Sequence, residues 1–196
     1  MEKKRVIIDM DHVMADITSN YIDWYRDATG IEVERDSLAG KPETEAFPRP
    51  ELVMDFLHTP GFFRSPKVIA GSQSVIEELN KVYEVFIVSA AMEFPQSLIE
   101  KYEWLREHFP FISWKQVIFC GFKKPICGDF MIDDHLKNLD HFKGTPLLFT
   151  ATHNIHIDKY TRVNNWEDVR KLLLEDKHTH TPHPGHGPET PPCQSK

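Results

Sequence analysis

Five short, continuous runs of apolar residues constrain the fold more than any other feature of this sequence. They cover residues 6–8, 85–88, 117–120, 130–132 and 147–149. Because polar residues do not alternate with apolar ones inside them, the runs are typical of strands covered on both faces of a parallel sheet. Helical patterns lie between some of the runs, at residues 73–83 and 95–109. This alternation predicts an α/β fold, a Rossmann-like parallel sheet flanked by helices.

An insertion separates the first two runs. Residues 10–84 lie between them, whereas a crossover between parallel strands needs only about a dozen residues or somewhat more. An amphipathic helix is predicted from Ile17 to Gly30, and a second, short helix at 51–57. We therefore expect a small, mostly helical cap inserted after the first strand. The predicted boundaries are 1–16 and 71–176 for the α/β core, 17–70 for the cap and 177–196 for a C-terminal tail.

The predicted tail differs in composition from the rest of the chain. Histidine and proline are interleaved with polar residues there, and the apolar residues needed for a core are scarce. Such a segment is expected to be disordered. Its histidines could capture a transition metal adventitiously, but we assign the tail no function. These histidines are His178, His180, His183 and His186.

The charge balance argues against a nucleic-acid polymer as the main partner. The 196 residues include 23 Lys and Arg against 30 Asp and Glu, a formal net charge of −7, whereas phosphate backbones are bound by clustered basic residues. The three cysteines have no CxxC spacing and cannot alone build a disulfide framework or a four-ligand zinc site. No apolar run is long enough for a signal peptide or a membrane span. We therefore expect a cytoplasmic protein that does not bind membranes.

Two pairs of acidic residues follow apolar runs. Asp9 and Asp11 come after the first run, and Asp133 and Asp134 come after the fourth. In open α/β sheets, ligands bind at the carboxyl ends of the strands, so both pairs are expected at one edge of the sheet. Each pair alone could be a turn or a helix cap. Together the carboxylates would repel one another unless a hard cation such as Mg²⁺ lay between them.

Groups that could bind an anion are expected at the same edge. Ser89 closes the second run, and the backbone after it, beginning at Ala90, offers N–H donors. The link from Cys120 to Phe130 is too short for a crossover helix, so it is predicted to cross the strand ends in extended form. This path would bring Lys123 or Lys124 over the site, although a lysine pair in a loop could also be merely solvated.

With these motifs in order, residues 5–150 resemble the haloacid dehalogenase (HAD) superfamily of phosphohydrolases, and more narrowly the 5′(3′)-deoxyribonucleotidase family. The resemblance rests on the segment 9–13 (DMDHV), Ser89 at a strand end, the basic segment at Lys123 and the block 128–134 (GDFMIDD). The segment 60–71, with its PGFF start, also looks like that family's return from cap to core. The resemblance implies a Mg²⁺-dependent phosphomonoesterase that acts on deoxyribonucleoside or ribonucleoside monophosphates, with a deoxyribonucleoside monophosphate favoured as the substrate.

Roles for individual residues follow from this resemblance. Asp9 would be the nucleophile that becomes an aspartyl phosphate, and Asp11 the general acid and base. Mg²⁺ would be held by Asp9, by the backbone carbonyl of Asp11 and by a carboxylate of the second acidic pair. Both Asp133 and Asp134 are candidates, and Asp133 is favoured. The residues that would bind the phosphate oxygens are Ser89, Ala90 and Lys123.

The sequence also departs from the family pattern. His12 stands where the family often has glycine, and His135 stands where related enzymes can carry a basic group that helps to select the substrate. The family's base pocket is apolar and lined by the cap, which makes Ile17, Phe62 and Phe63 candidates. These three residues could equally be ordinary core of the cap.

Two other functions stay open at this point. A phosphatase of the same superfamily that acts on a sugar phosphate or another small monoester would share the core residues, since specificity resides in the cap. A phosphate-binding module without catalysis would share some of them. The sequence is also compatible with a homodimer.

Overall fold

The computed structural model describes residues 3–175 of the chain. Its strands are β1 (Arg5–Ile8), β2 (Ala15–Asp16), β3 (Lys67–Val68), β4 (Glu84–Ser89), β5 (Val117–Phe119), β6 (Phe130–Asp133), β7 (Thr145–Phe149) and β8 (Thr161–Val163). Its α-helices are α1 (Ile17–Thr29), α2 (Glu43–Ala46), α3 (Pro50–Leu57), α4 (Ser72–Val82), α5 (Ser97–His108), α6 (Leu136–Leu139) and α7 (Trp166–Arg170). Short 3₁₀ turns lie at Arg35–Leu38, Ala91–Glu93, Trp114–Gln116 and Thr152–Asn154, and a π-helical turn at Lys171–Glu175. The predicted tail at 177–196 lies outside the described residues.

Six strands form one parallel sheet in the order β5-β4-β1-β6-β7-β8. The five apolar runs form β1, β4, β5, β6 and β7, so the predicted α/β fold is confirmed. The sequence does not predict β8, because this edge strand has three residues and only Val163 is buried. From β1 the chain continues to β4 and β5 on one side, then crosses to β6, β7 and β8 on the other. The winding reverses beside β1, and open α/β sheets bind their ligands at such a point.

Both faces of the sheet are covered, which explains why the apolar runs are continuous. Val6 and Ile8 belong to the larger core, which also contains Trp104 of α5 and Trp166 of α7. Ile7, between them in β1, faces a smaller core on the other side of the sheet with Leu139 of α6. Successive side chains of a strand point to opposite faces, so each residue of such a run is buried.

The segment 17–70 begins and ends at one place on the sheet. Ala15 in β2 pairs with Val68 in β3, and this antiparallel ribbon joins the two ends of the segment. The helices expected in the segment are present as α1 and α3. Asp16 caps α1 by accepting a hydrogen bond from the Ser19 backbone N–H (3.1 Å), and Gly30 ends the helix with a left-handed φ of 73°. The division into core and cap stays a prediction.

Aromatic side chains pack together inside the segment 17–70. Phe62 is fully buried, and its ring centroid lies 4.8 Å from that of Tyr21 and 5.3 Å from that of Trp24. Trp104 of α5 ties this segment to the helix layer, because its indole N–H donates to the carbonyl of Pro66 (2.7 Å). Among residues 3–175, no helix is long and apolar enough to cross a lipid bilayer.

Gly144 sets the distance between the starts of β6 and β7. A Cβ atom on Gly144 would lie 2.5 Å from the carbonyl oxygen of Asp129 and would also collide with that of Gly128. We expect Gly144→Ala to lower the free energy of unfolding by about 1–3 kcal/mol, since backbone atoms must shift to admit the methyl group. Urea denaturation measures this loss.

Gly121→Ala is the matched control for that substitution. The nearest atom to a Cβ at Gly121 is the Cβ of Met92 at 3.9 Å, an ordinary contact distance. Its free energy of unfolding should stay within about 0.5 kcal/mol of the parent value, as for a surface change without a special mechanism. Equal effects of the two substitutions would contradict the steric explanation.

Candidate active site

The two acidic pairs meet at the carboxyl edge of the sheet, beside its central strand. Asp9 follows β1, and its backbone N–H donates to the carbonyl of Ile132 in β6 (2.9 Å). Because β1 lies between β4 and β6, Asp9 is flanked by the ends of the strands that carry Ser89 and Asp133. All three side chains are buried, with exposed fractions of 6%, 1% and 0% in that order. The predicted convergence of strand ends is therefore present.

Lys123 joins the two acidic pairs. Its ammonium Nζ lies 2.5 Å from Oδ1 of Asp9 and 2.7 Å from Oδ2 of Asp133. The lysine is buried on the link between β5 and β6, while Lys124 next to it is exposed. Burial alone would lower the pKa of Lys123, but Asp9 and Asp133 outweigh burial and raise it. The lysine therefore remains a buried cation.

The two members of the second acidic pair have different surroundings. Asp133 is fully hydrogen-bonded: Oδ1 accepts from the backbone N–H of His135 (2.9 Å), both oxygens accept from the side-chain amide of Asn138 (3.0 Å each), and Oδ2 accepts from Lys123. Asp134 is just as buried, at 1% exposure, yet neither of its oxygens has a hydrogen-bond partner among residues 3–175. Burial raises the pKa of Asp134. A carboxylate of this kind needs a cation or a proton.

The acidic cluster itself fits a hard divalent ion. Asp9, Asp133 and Asp134 each offer an oxygen, and these oxygens lie within 4.8 Å of one another. Burial raises the pKa of Asp9 to about 7, with the opposing effect of Lys123 partly offset by the other acids. Carboxylate oxygens are the ligands that Mg²⁺ prefers. The unpartnered oxygens of Asp134 are the observation that favours an ion here.

A second buried lysine reaches the site from α5. Lys101 forms an ion pair with Oδ2 of Asp11, donates to Oγ of Ser89 (3.0 Å) and lies 4.7 Å above the ring of Phe63. Ala90 follows Ser89 and leads into the Ala91–Glu93 turn. An oxygen of Asp11, Oδ1, is buried without a partner in the described chain. Ser89, Asp11 and two ammonium groups therefore surround one location.

Sequence reasoning predicted a helix over 95–109 but missed Lys101, because a lysine in an amphipathic helix normally faces water. The buried residues of α5 are in fact Ser97, Lys101, Trp104 and Leu105. A lysine three residues before a tryptophan and four before a leucine lies on their stripe. That spacing is the signal that could have identified it. Asn138, which orients Asp133, carried no such signal.

The four residues predicted to line the substrate pocket differ in burial and in the groups that they contact. Ile17 and Phe62 are buried, and Phe62 packs into the aromatic cluster of the segment 17–70. Phe63 also is buried, but it lies against Lys101 and so next to the acidic residues. The side chain of His135 is 44% exposed and stacks on His153 at 4.4 Å between ring centroids. Phe63 is the member of this set in contact with a buried ammonium of the site.

His12 adopts a backbone conformation that glycine favours. Its φ is 59°, and it is the only non-glycine residue between 3 and 175 with a positive φ. The turn is held by a hydrogen bond from the His12 backbone N–H to Ala15 (2.9 Å) and by one from the Trp166 indole N–H to Val13 (2.8 Å). These bonds hold the loop of Asp9 and Asp11 against α7.

Two solved structures share this fold at low sequence identity. A HAD family hydrolase from Deinococcus radiodurans R1, solved with phosphate and sodium bound, matches with a TM-score of 0.52 and 15% identity over 88% of this chain and 96% of that one. A Bacillus subtilis protein described as a HAD hydrolase, solved with magnesium bound, matches with a TM-score of 0.54 and 15% identity over 88% and 99%. The fold is that of the HAD-like hydrolases.

Sequence relatives identify the family within that class. A family model described as "5′ nucleotidase, deoxy (Pyrimidine), cytosolic type C protein" matches residues 3–179. The 5′(3′)-deoxyribonucleotidase of Bacillus subtilis is 42% identical over 177 residues, which cover 88% of this chain and 99% of that protein. A Staphylococcus aureus protein provisionally named 5′(3′)-deoxyribonucleotidase is 40% identical over 177 residues, 90% of this chain and 98% of the relative. The chain belongs to this nucleotidase family, as its motifs predict, and is a hydrolase.

The raised pKa of Asp9 predicts how stability depends on pH when no divalent ion is bound. The folded pKa of about 7 exceeds the ordinary value of 3.8, so the protonated acid favours folding at low pH, and this contribution disappears as pH rises through 7. In EDTA, the parent should lose on the order of 2 kcal/mol between pH 5 and pH 8 through this group.

Asp9→Asn isolates that contribution, because its amide does not titrate. Urea unfolding in EDTA should show a smaller decline from pH 5 to pH 8 for Asp9→Asn than for the parent. Parallel pH profiles for the two proteins would contradict the raised pKa of Asp9.

Proposed function

We propose that this protein is a Mg²⁺-dependent phosphomonoesterase that removes phosphate from deoxyribonucleoside monophosphates through an aspartyl phosphate on Asp9. The observation that carries the proposal is the buried acidic cluster at the end of β1, where the Asp134 carboxylate accepts no hydrogen bond from residues 3–175 and two buried lysines face the other acids. A buried carboxylate beside ammonium groups and a cation is suited to attack an anionic phosphate.

The residues that would hold Mg²⁺ are Asp9, Asp134 and the backbone carbonyl of Asp11. We assign Asp134 rather than Asp133, although the sequence favours Asp133. The oxygens of Asp133 already accept four hydrogen bonds, from His135, from Asn138 twice and from Lys123, whereas those of Asp134 accept none from the described residues. When bound, Mg²⁺ supplies positive charge that lets an anionic nucleophile approach an anionic phosphate.

The first half-reaction transfers the phosphoryl group to Asp9. A carboxylate oxygen of Asp9 forms a bond to phosphorus while the ester P–O bond breaks, and Asp11 gives its proton to the leaving alkoxide oxygen. Lys123 and the Ser89 hydroxyl donate to the phosphate oxygens, together with the backbone at Ala90. Lys101, which pairs with Asp11 and Ser89, adds a second ammonium there.

The second half-reaction hydrolyses the aspartyl phosphate. Asp11, now ionised, removes a proton from water, the water oxygen bonds to phosphorus, and the bond from phosphorus to the Asp9 oxygen breaks. Inorganic phosphate leaves and the starting protonation states are restored. Lys101 pairs with ionised Asp11 in this half-reaction and so holds the base in place.

The substrate proposal draws on the relatives and on the segment 17–70. The Bacillus subtilis relative is named a 5′(3′)-deoxyribonucleotidase. Phe63 is buried and lies against Lys101, so an apolar ring borders the proposed phosphate site. We propose that Phe63, Ile17 and His135 contact the nucleoside and that Phe62 supports them from the aromatic cluster. The cytoplasmic location stays a prediction of the sequence, as does the homodimer.

A rate profile tests the proposal. Phosphate release is measured with deoxyribonucleoside monophosphates, ribonucleoside monophosphates and sugar phosphates, with Mg²⁺ and with EDTA. We expect the highest kcat/KM for a deoxyribonucleotide and no turnover in EDTA. Asp9→Asn should lower kcat at least about 10³-fold by removing the nucleophile, while Asp27→Asn, whose side chain is 72% exposed, should match the parent. Sugar phosphates as the best substrates would contradict the substrate assignment, and full activity of Asp9→Asn would contradict the mechanism.

The assignment of Asp134 gives a separate prediction about the ion. Asp134→Asn should raise the Mg²⁺ concentration for half-maximal rate at least about tenfold, since a ligand is lost. Asp133→Asn is the matched comparison, because it changes the neighbouring carboxylate and weakens the bonds to Lys123 and Asn138. It should lower the free energy of unfolding more than Asp134→Asn does and change the Mg²⁺ requirement less. The reverse ranking in a Mg²⁺ titration would assign the ion to Asp133.

A further inference from the structure

A second group of metal-ligating side chains shares Asp134 with the acidic cluster. His12 lies in the loop after β1, and His153 lies in the Thr152–Asn154 turn after β7. One ring nitrogen of each histidine and a carboxylate oxygen of Asp134 lie within 4.8 Å of one another. The phosphoryl-transfer chemistry proposed above uses neither histidine.

Several of these atoms are buried and have no partner among residues 3–175. Both oxygens of Asp134 and Nδ1 of His153 accept or donate no hydrogen bond, and the two side chains are 1% and 10% exposed. Nε2 of His153 lies 3.4 Å from Oδ2 of Asp134 and 3.2 Å from the backbone carbonyl oxygen of Asp134, a contact that it would give up to bind an ion. Two ligands of one zinc ion, each about 2.1 Å from it at a tetrahedral angle, are separated by roughly the Nε2–Oδ2 distance. The spacing therefore suits ligands of a common ion.

Glu43 of α2 lies beside the same two histidines. Its Oε1 is 3.5 Å from Nε2 of His12 and 3.9 Å from Nδ1 of His153, and it has no hydrogen-bond partner in the described chain. A carboxylate facing the second ring nitrogen of a histidine is the usual partner of a metal-bound imidazole.

We propose that His12, His153 and Asp134 form a second divalent metal site, for a transition ion such as Zn²⁺, with Glu43 positioning His153. Imidazole nitrogens favour transition ions, whereas an all-carboxylate cluster favours Mg²⁺. Because neither carboxylate oxygen of Asp134 accepts a hydrogen bond from residues 3–175, one oxygen can face each site. In this site Nε2 of His153 binds the ion and Nδ1–H donates to Glu43, which comes from the segment 17–70.

Binding of Co²⁺ tests the site directly, since Co²⁺ replaces Zn²⁺ and absorbs visible light. The full chain is used, with His178, His180, His183 and His186 changed to Asn to remove other histidine ligands. In excess Mg²⁺, we expect one tightly bound Co²⁺ with visible absorption, which Zn²⁺ displaces and further Mg²⁺ does not. His12→Gln and His153→Gln should each raise the Kd for Co²⁺ at least tenfold, and Glu43→Gln should raise it by a smaller factor.

Two controls separate this site from its surroundings. His141→Gln changes an exposed histidine that packs on Phe122 and should bind Co²⁺ like the parent. Asp9→Asn removes a ligand of the acidic cluster only, so Co²⁺ binding should persist although turnover is lost. Circular dichroism confirms that each variant is folded.

Several outcomes would contradict the proposed second metal site. One is the absence of a bound Co²⁺ with visible absorption, as expected if His153 is only an imidazolium between Glu43 and Asp134. Displacement of Co²⁺ by Mg²⁺, or its loss in Asp9→Asn, would place the ion in the acidic cluster instead. Unchanged Kd values in folded His12→Gln and His153→Gln would do the same. The Co²⁺ binding and displacement measurements on the parent protein still test the site even if a variant fails to fold. The readout is binding, so failure of the proposed nucleotidase activity would leave this result intact.

Discussion

The pairing of Lys123 with Asp9 and Asp133 is the interaction on which the active edge of the sheet depends. Parallel strands β1 and β6 bring these acids together inside the protein, where charge repulsion and loss of hydration both oppose ionisation. The lysine, within 2.7 Å of each acid, offsets this cost. Removing one member of a buried ion pair typically costs about 3–5 kcal/mol, because the other charge remains unpaired. Lys123 is therefore a structural requirement of the site as well as a phosphate-binding candidate.

The two buried lysines do not pair with every buried acid at this edge of the sheet, and the acid that they leave unpaired is informative. Lys123 pairs with Asp9 and Asp133, and Lys101 pairs with Asp11, but the described residues donate no hydrogen bond to the carboxylate of Asp134. A fold selected only for stability would not keep such a group in its interior. The same reasoning distinguishes Asp133 from Asp134. A carboxylate whose oxygens already accept hydrogen bonds holds neighbouring side chains in place, whereas one whose oxygens accept none is available to a ligand.

The sequence predicted the features that depend on burial along one strand and did not predict those that depend on contacts between elements. Continuous apolar runs identified five of the six parallel strands, and their carboxyl ends placed Asp9, Ser89 and Asp133 at one edge. The short edge strand β8 was missed because burial there covers one residue. Lys101 was missed because a lysine in an amphipathic helix normally faces water, and only tertiary packing places it beside Asp11. No local pattern separates Asp133 from Asp134, since the hydrogen bonds that do so come from Lys123 and Asn138.

His12 connects the loop of Asp9 and Asp11 to the segment 17–70. A non-glycine residue at a φ of 59° costs of order 1 kcal/mol or more and persists only where surrounding bonds fix the turn. Here Ala15 and Trp166 supply those bonds. The imidazole then reaches Thr18 of α1 (3.3 Å) and faces Glu43 of α2 (3.5 Å). A glycine, as in the family pattern, would remove these two contacts to that segment. In this chain, His12 therefore links the segment 17–70 directly to the loop that carries Asp9 and Asp11.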